Sequence, residues 1–556
     1  MLSFSSYRKE WVRALGRCAW LAVAVALLAG AQLRVAAAQE TGADGAGADG
    51  TGAGRGRIVL VLPFDNRSGQ PSLEWVREAA AELLTSRFAS AGFLPLSRED
   101  RLYALDHLGL PEAFQPSRAS SLKLAQTLDA DAIVVGSFKT EGNEIEAEAR
   151  VVDVPHLRMS DVVTVRGALP TMIAVFDRLA WKLTRVMDPE FGGAEETFVA
   201  AGKDIRVDAF EQYIRGITEP DQAERLQHLQ LAVKLSPGFG PAWMALAREE
   251  YSEQKYQQAA AAFAKVEHSE PDALEAGFYR GLSLLFSGNY PAAQEAFAGV
   301  ARILPLAEVL NNDAVAISRQ GHDGSALFRK AVAADPNAAD YHFNLAVSLK
   351  RRGDTAGAEA EMATCLKLRP NDTEAQSVLK AWKTPLTGAA TDLENDASAD
   401  PLERIVRTFD AVAFRQAALV IDQMAASRLA ALSPHERAVK LAAQAKTYLN
   451  RGLLLEAERM YQSAVAADGT VAAAHAGLAE IRERAGDAAA ARKEATTALA
   501  LEPSAAAYLV LGRLDLAANR LDEASREANE ALQLDRGSQA AQDLKRQIAA
   551  RSAKKD

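Results

Sequence analysis

Residues 339–370, ADYHFNLAVSLKRRGDTAGAEAEMATCLKLRP, decide the fold of most of this chain. Apolar residues recur at helical spacing on both sides of Gly353: Leu345, Ala346 and Leu349 before it, Ala358 and Met362 after it. The pattern predicts two helices that turn near Gly353 and lie back on each other. Two helices approach closely only where small residues meet, and Ala346 with Ala358 supply that contact. Pro370 ends the second helix, because proline has no amide hydrogen and disfavours the α conformation in the residue before it. Upstream, Trp243, Leu246, Ala247, Ala259 and Phe263 fall in the same register before Pro271. Prolines at 237, 271, 305, 336 and 370 are spaced by 34, 34, 31 and 34 residues. A hairpin of this size cannot cover its own apolar face, so the period predicts a stack in which each pair shields the next.

This register resembles the tetratricopeptide repeat (TPR), with Trp243, Leu246, Ala247, Ala259 and Phe263 where that pattern has W, L, G, A and F. The resemblance implies an all-α superhelical solenoid that binds a protein or peptide on its concave face. A first array is expected over 206–383, and a linker rich in turn formers and acids, including Pro385, Gly388, Asp392, Asp396 and Pro401, over 384–401. A second array follows over 402–552, with residues 402–434 read as helical but degenerate. Its register returns at Gly452, Ala457, Tyr461 and Ala464, then at Leu478, Ala479, Gly486, Ala491 and Ala498 before Pro503. Leu511, Gly512, Ala524 and Ala531 give one more repeat, and Gln539–Arg551 a capping helix.

Counting along the first helices places Met244, Arg248, Tyr251, Phe278, Leu282, Leu285, Phe286, Phe343, Asn344, Val347 and Lys350 in the groove. Contiguous apolar surface with cationic edges suits an extended or helical peptide. The alternative for these aromatics is burial against neighbouring repeats. TPR domains that clamp a terminal carboxylate use Lys and Asn at several such positions. Only Asn344 and Lys350 are of that type here, so that ligand class is not indicated.

Residues 58–195 read as an α/β domain, making the chain α+β overall. The run Ile58–Leu62 predicts a buried strand and a helix from near Ser72 to Ser90 follows. A second strand is expected over Gly92–Leu96, helices over Ser97–Leu108 and Ser117–Leu128, and a buried strand over Ala132–Phe138. Glu144–Val154 alternates, with Ile145, Ala147, Ala149 and Val151 on one face, and Asp161–Arg166 is its hairpin partner. A last amphipathic helix covers Leu169–Met187. Alternating elements of this kind imply a mixed sheet. The stretches VLPFDNRSG at 61–69 and ADAIVVGSF at 130–138 resemble the amino-terminal domain of TolB and related CsgG-like envelope proteins, which implies an assembly role without catalysis. Neither TolB-type propeller repeats nor the lipid-anchoring Cys of CsgG is present. Asp65, Asn66 and Ser68 follow the first strand, where open α/β sheets bind ligands. The same residue types also build tight strand-to-helix turns.

Residues 1–38 read as an export signal: Arg8, Lys9, Arg13 and Arg17 precede an apolar run from Cys18 to Ala31, and Ala36–Ala38 offer a cleavage site. At 14 residues the run is shorter than the roughly 20 that a membrane span needs. Retention as an anchor is the alternative. Cleavage there removes five cations and one carboxylate, taking the formal charge from -10 to -14. Residues 39–57 are a Gly/Ala-rich tether, and its G-x-G-x-x-G at Gly45, Gly47 and Gly50 lacks the preceding strand that nucleotide binding requires. The acidic balance disfavours nucleic acid. Only Cys365 would remain in the mature chain, so no internal disulfide can form. The His residues are scattered, and no zinc or serine-triad signature occurs, so no cofactor, metal or catalytic site is expected. The favoured reading is an exported, periplasmic or secreted, non-enzymatic scaffold for a protein or peptide. The alternative is a ligand-binding or enzymatic α/β module with a TPR recruiting arm.

Overall fold

A computed structural model describes residues 56–111, 118–266, 272–383, 400–409, 424 and 426–553. The signal at 1–38, most of the tether, Pro271 and residues 384–399 of the linker lie outside them. The described chain divides into two compact units, residues 240–409 and residues 56–239 together with 426–553.

The amino-terminal domain contains each expected strand and helix, with ends moved by a few residues. Its strands are β1 (Ile58–Val61), β2 (Asp65–Asn66), β3 (Leu94–Pro95), β4 (Ala132–Glu141), β5 (Glu144–Asp153), β6 (Arg158–Met159) and β7 (Val163–Ala168). Helices α1 (Val76–Ala91), α2 (Arg98–His107), α3 (Arg118–Thr127) and α4 (Met172–Met187) complete it. β1 pairs in parallel with β3 and β4, β4 with β5 antiparallel, and β5 also carries β6 and β7, so the sheet is mixed. Alternation along β1 serves both faces. Val59 and Val61 pack with Val134, Phe88 and Phe176 beneath α1 and α4, while Leu60 and Leu62 pack with Ile133, Leu105 and Leu124 beneath α2 and α3. Gly136 of β4 is needed here because the Phe64 ring fills the place a β-carbon would take.

Arg87 of α1 donates from Nε to Asp177 Oδ1 of α4 at 2.8 Å, and neither side chain is more than 7% exposed. Burial, opposed by Arg87, pushes the Asp177 carboxyl up to about 6. Arg87→Met is expected to cost about 3–5 kcal/mol, because it strands a buried carboxylate. The native state keeps the Asp177 proton from pH 3.8, where the unfolded chain releases it, to about 6. Stability therefore falls as pH rises through that window, and removing Arg87 extends the window upward. Urea denaturation should show a larger loss at pH 8 than at pH 5, and equal losses would contradict this account.

After the sheet domain come α5 (Glu195–Ala201) and the hairpin α6 (Val207–Thr218) with α7 (Gln222–Leu235). Sequence periodicity assigned α6 and α7 to the first array, but Phe210 and Ile214 of α6 join the core of the sheet domain, in the same compact unit. In that unit α17 (Pro434–Asn450) pairs with α18 (Leu454–Ala467), α19 (Ala472–Ala485) with α20 (Ala488–Leu501) and α21 (Ala505–Ala517) with α22 (Leu521–Leu534). Helix α23 (Gln539–Ser552) closes the stack, as the capping helix expected there.

The other unit stacks α8 (Gly240–Ser252) on α9 (Tyr256–Phe263), α10 (Ala273–Phe286) on α11 (Tyr290–Ile303), and α12 (Ala307–Arg319) on α13 (Ser325–Ala334). The series continues with α14 (Ala339–Arg351) on α15 (Thr355–Leu368), then α16 (Thr373–Lys383). Helices α7, α11, α13, α15 and α20 each end two residues before Pro237, Pro305, Pro336, Pro370 and Pro503, as the proline argument requires. The predicted small contacts are fully buried: Ala247 with Ala259 beside Phe263, and Ala346 and Ala358. Cys365 is buried in the α14–α15 core, and burial pushes its thiol up to about 11.

One expectation fails. Residues 402–409, read as the helical start of the second array, form neither helix nor strand, and 410–423 lie outside the described residues. Leu402, Ile405, Val406 and Phe409 have the i, i+3, i+4, i+7 spacing of an amphipathic helix, but the contacts that Ile405, Val406 and Phe409 make with the first array override that local preference, while Leu402 stays exposed.

Candidate functional site

Residues 400–409 cross the first helices of the 240–409 unit, and the contacts they make mark the candidate site. The floor is a buried asparagine cluster. Asn344 of α14 donates to Arg404 O at 2.7 Å and accepts from Arg404 N at 2.6 Å. Asn312 of α12 does the same for Val406, at 2.7 and 3.0 Å. A side-chain amide gripping both backbone groups of one residue reproduces the paired bonds of an antiparallel strand neighbour. The gripped residues are two apart, the repeat of an extended chain. Asn311 ties the clamps together, accepting from Asn344 at 2.8 Å and donating to Asn312 Oδ1 at 3.1 Å and to Arg404 O at 3.2 Å. All three asparagines are fully buried.

Side chains 403 and 404 leave this backbone into pockets of opposite charge. The Arg404 guanidinium uses all five of its N–H groups. Nε donates to Glu374 at 3.1 Å, Nη1 to Asp340 at 2.9 Å and Asp372 at 2.7 Å, and Nη2 to Asp372 at 2.8 Å and Glu374 at 2.7 Å. Its plane lies 3.7 Å above the Phe343 ring. The guanidinium in turn holds the Asp372 carboxyl below its usual range. Glu403, with a fully buried side chain, meets Ser318, Arg351 and, at 3.3 Å, Arg319. Arg351 also binds Asp400 at 2.7 Å and Pro401 O at 2.9 Å. Farther along, Arg407 lies 5.1 Å over Phe286, and the Phe409 ring is 5.4 Å from Phe278.

Of the groove residues counted from the sequence, Phe278, Phe286, Phe343 and Asn344 therefore meet the segment. Met244, Leu282, Leu285 and Val347 are buried in the cores between helices. Arg248 pairs with Glu275 at 2.8 Å, Tyr251 sits among Tyr256, Tyr279 and Phe286, and Lys350 lies over Trp382. The sequence count passed over Asn311, Asn312, Ser318, Arg319, Asp340, Arg351, Asp372 and Glu374. A usable signal existed, since Asn312 and Asn344 stand 32 residues apart, each the sixth residue of its first helix.

The loop after β1 uses its polar groups internally. Asn66 donates to Gln70 O and Glu74 Oε2 and accepts from Ser68 N and Oγ, while Ser68 Oγ accepts from Gln70 N. Asp65 faces Arg67 at 3.9 Å. His342 and His475 occupy matching places in the two arrays, each with Nδ1 on a glutamate of the following helix, Glu361 at 2.6 Å and Glu494 at 2.7 Å. No helix among the described residues is long and apolar enough to cross a membrane.

A family model described as tetratricopeptide repeat matches residues 244–308 and 318–373. Among solved structures, the chain is similar to MamA from residue 41 to its end, from Desulfovibrio magneticus RS-1, at 21% identity over 30% of this chain and 98% of that chain, with a TM-score of 0.27. It is similar to YrrB, described as a TPR protein with an unusual peptide-binding site, at 15% identity over 32% and 92%, with a TM-score of 0.29. It is also similar to the LpoB carboxy-terminal domain from Escherichia coli, at 17% identity over 22% and 87%, with a TM-score of 0.18. No curated protein is a significant sequence match. The proline-terminated hairpins and the family match agree: behind a mixed-sheet α/β domain, this chain carries tetratricopeptide repeats, a solenoid scaffold for protein–protein interaction.

Proposed function

We propose that this protein is an exported scaffold of the bacterial cell envelope, without catalytic activity, that holds an extended peptide of a partner protein in the groove of its first array. The observation that carries the reading is the cluster of Asn311, Asn312 and Asn344 on the backbone of residues 404 and 406. Buried amides that pair with main-chain groups recognise an extended chain whatever its sequence, and the charged pockets beside them add selectivity. Export is supported by the basic start, short apolar run and Ala36–Ala38 of the first 38 residues, and an envelope role by the TolB- and CsgG-like stretches at 61–69 and 130–138.

With residues 400–409 replaced by Gly-Ser of equal length, so that they no longer occupy the same bonds, Asn344→Ala removes two backbone bonds offered to the partner and is expected to reduce its recovery at least about tenfold in affinity capture from envelope extract, with helicity by circular dichroism retained. The partner is to be identified by mass spectrometry and its binding re-measured with purified components. Equal recovery by both proteins would overturn the groove. Export is checked by fractionation, where an intact amino terminus on cytoplasmic protein would overturn it.

A further inference from the structure

Building on the reading of the first array as a peptide groove, we propose that residues 400–409 are a tethered pseudo-ligand. They close the groove to outside peptides, and they yield by direct competition to an extended partner segment that carries a Glu-Arg pair followed by aliphatic residues. The groove's contacts fall into two classes. The asparagine bonds read only backbone and would serve any extended chain. Selectivity lies in the two pockets, which an extended chain fills from opposite sides with adjacent side chains. Glu403 enters the pocket of Arg319 and Arg351, and Arg404 that of Asp372 and Glu374. Reversing the order to Arg-Glu sets each charge against its own sign, so the groove distinguishes a Glu-Arg step from every neutral or inverted one.

Ile405, Val406 and Phe409 pack on the cores of helices α10 to α14, but the contact between α14 and α15 is made without the segment. The core joining α14 to α15, built from Ala346, Val347, Met362 and Cys365, contains none of residues 400–409. An emptied groove would keep its shape there. The segment is covalently joined to α16 through residues 384–399, so its docking is intramolecular, with an effective concentration of up to about the millimolar range. A free peptide of micromolar affinity would then bind the closed protein up to about 10³-fold weaker than the open one. A partner presenting the motif at high local concentration, or in several copies, would open it.

The test uses the full chain and a fluorescein-labelled peptide, ADPLERIVRTFD, copied from residues 399–410. Two opened proteins are compared with the wild type by fluorescence anisotropy. One has residues 400–409 replaced by Gly-Ser of equal length, and the other is Arg404→Glu, which alters no array residue. Both opened proteins are expected to bind the peptide at least about 30-fold more tightly than the wild type, and neither to bind a version with Glu and Arg exchanged. The proposal is overturned if both opened proteins, helical by circular dichroism, ignore the peptide, or if the wild type binds it as tightly as they do. Partner capture by the Gly-Ser protein that is sensitive to Asn344→Ala, with the peptide ignored, removes the self-competition and leaves the groove. Capture by the Gly-Ser protein that is insensitive to Asn344→Ala removes the groove itself.

Discussion

Arg404→Glu should release residues 400–409 and speed tryptic cleavage after Arg407 by about 10²–10³-fold. The guanidinium is bound by Asp340, Asp372 and Glu374 and is only 16% exposed. Breaking such a pair costs about 3–5 kcal/mol, and the substitution adds a fourth carboxylate to a cluster of three that keeps only Arg369, on Asp340 and Asp372, as a cation. Cleavage of a docked segment follows the population of its open form, and each 1.4 kcal/mol changes that population about tenfold. Arg404→Lys separates charge from geometry. A lysine keeps the positive charge but gives up the planar fork and its stacking on Phe343, so it should fall between the wild type and Arg404→Glu. The array should remain helical in all three proteins, because the Ala346–Met362–Cys365 core does not include the segment. Equal cleavage rates after Arg407 would mean that the ion cluster does not hold the segment in place.

The periodic part of this structure was legible because one physical constraint repeats. Prolines that stop helices, and alanines that let helices meet, recur at a fixed spacing, and the observed helix ends follow them at Leu235, Ile303, Ala334, Leu368 and Leu501. The strands of the first domain were legible for a similar reason, since Ile145, Ala147, Ala149 and Val151 alternate and are all buried. The groove was half legible. Counting found its aromatic residues, Phe278, Phe286 and Phe343, together with Asn344, but it favoured large apolar residues, whereas the groups that grip residues 404 and 406 are small buried amides. Phe278 is fully buried between helices, so truncating it would confuse loss of binding with loss of packing. The occupant itself was illegible. Residues 402–409 carry a helical spacing of apolar side chains, and their extended form is set by Asn312, Asn344 and the two charged pockets, which lie 30 to 94 residues away. The attachment of α5 to the second array was equally hidden, because it joins residues about half the chain apart.

That attachment predicts the other large effect: Glu458→Ala should cost about 3–5 kcal/mol. Glu458 of α18 is almost completely buried, with Arg482 of α19 at 2.5 Å and the Ala194 amide, at the start of α5, donating to it at 3.3 Å. Arg482 reaches on to Thr197 Oγ1 at 3.3 Å, and Gln462 donates to Gly192 O at 2.8 Å. Behind this polar seam, Phe198 of α5 and Leu455 of α18 share the core of the sheet domain. Burial holds the Glu458 carboxyl above its usual range despite Arg482, so the group is poised at the cost of desolvation and depends on its partners. Removing it leaves the Ala194 amide without its acceptor and the Arg482 guanidinium without its carboxylate, with Thr197 Oγ1 as its remaining partner. The second array should then melt apart from the sheet domain. Urea unfolding followed by circular dichroism, which is dominated by the repeats, should separate from pulse proteolysis of the sheet domain, whereas the two coincide in the wild type. Glu458→Gln, which keeps an acceptor oxygen and the volume, should recover part of the loss. Full stability in Glu458→Ala, with coincident transitions, would show that Phe198 and Leu455 hold the two parts together without the buried ion pair.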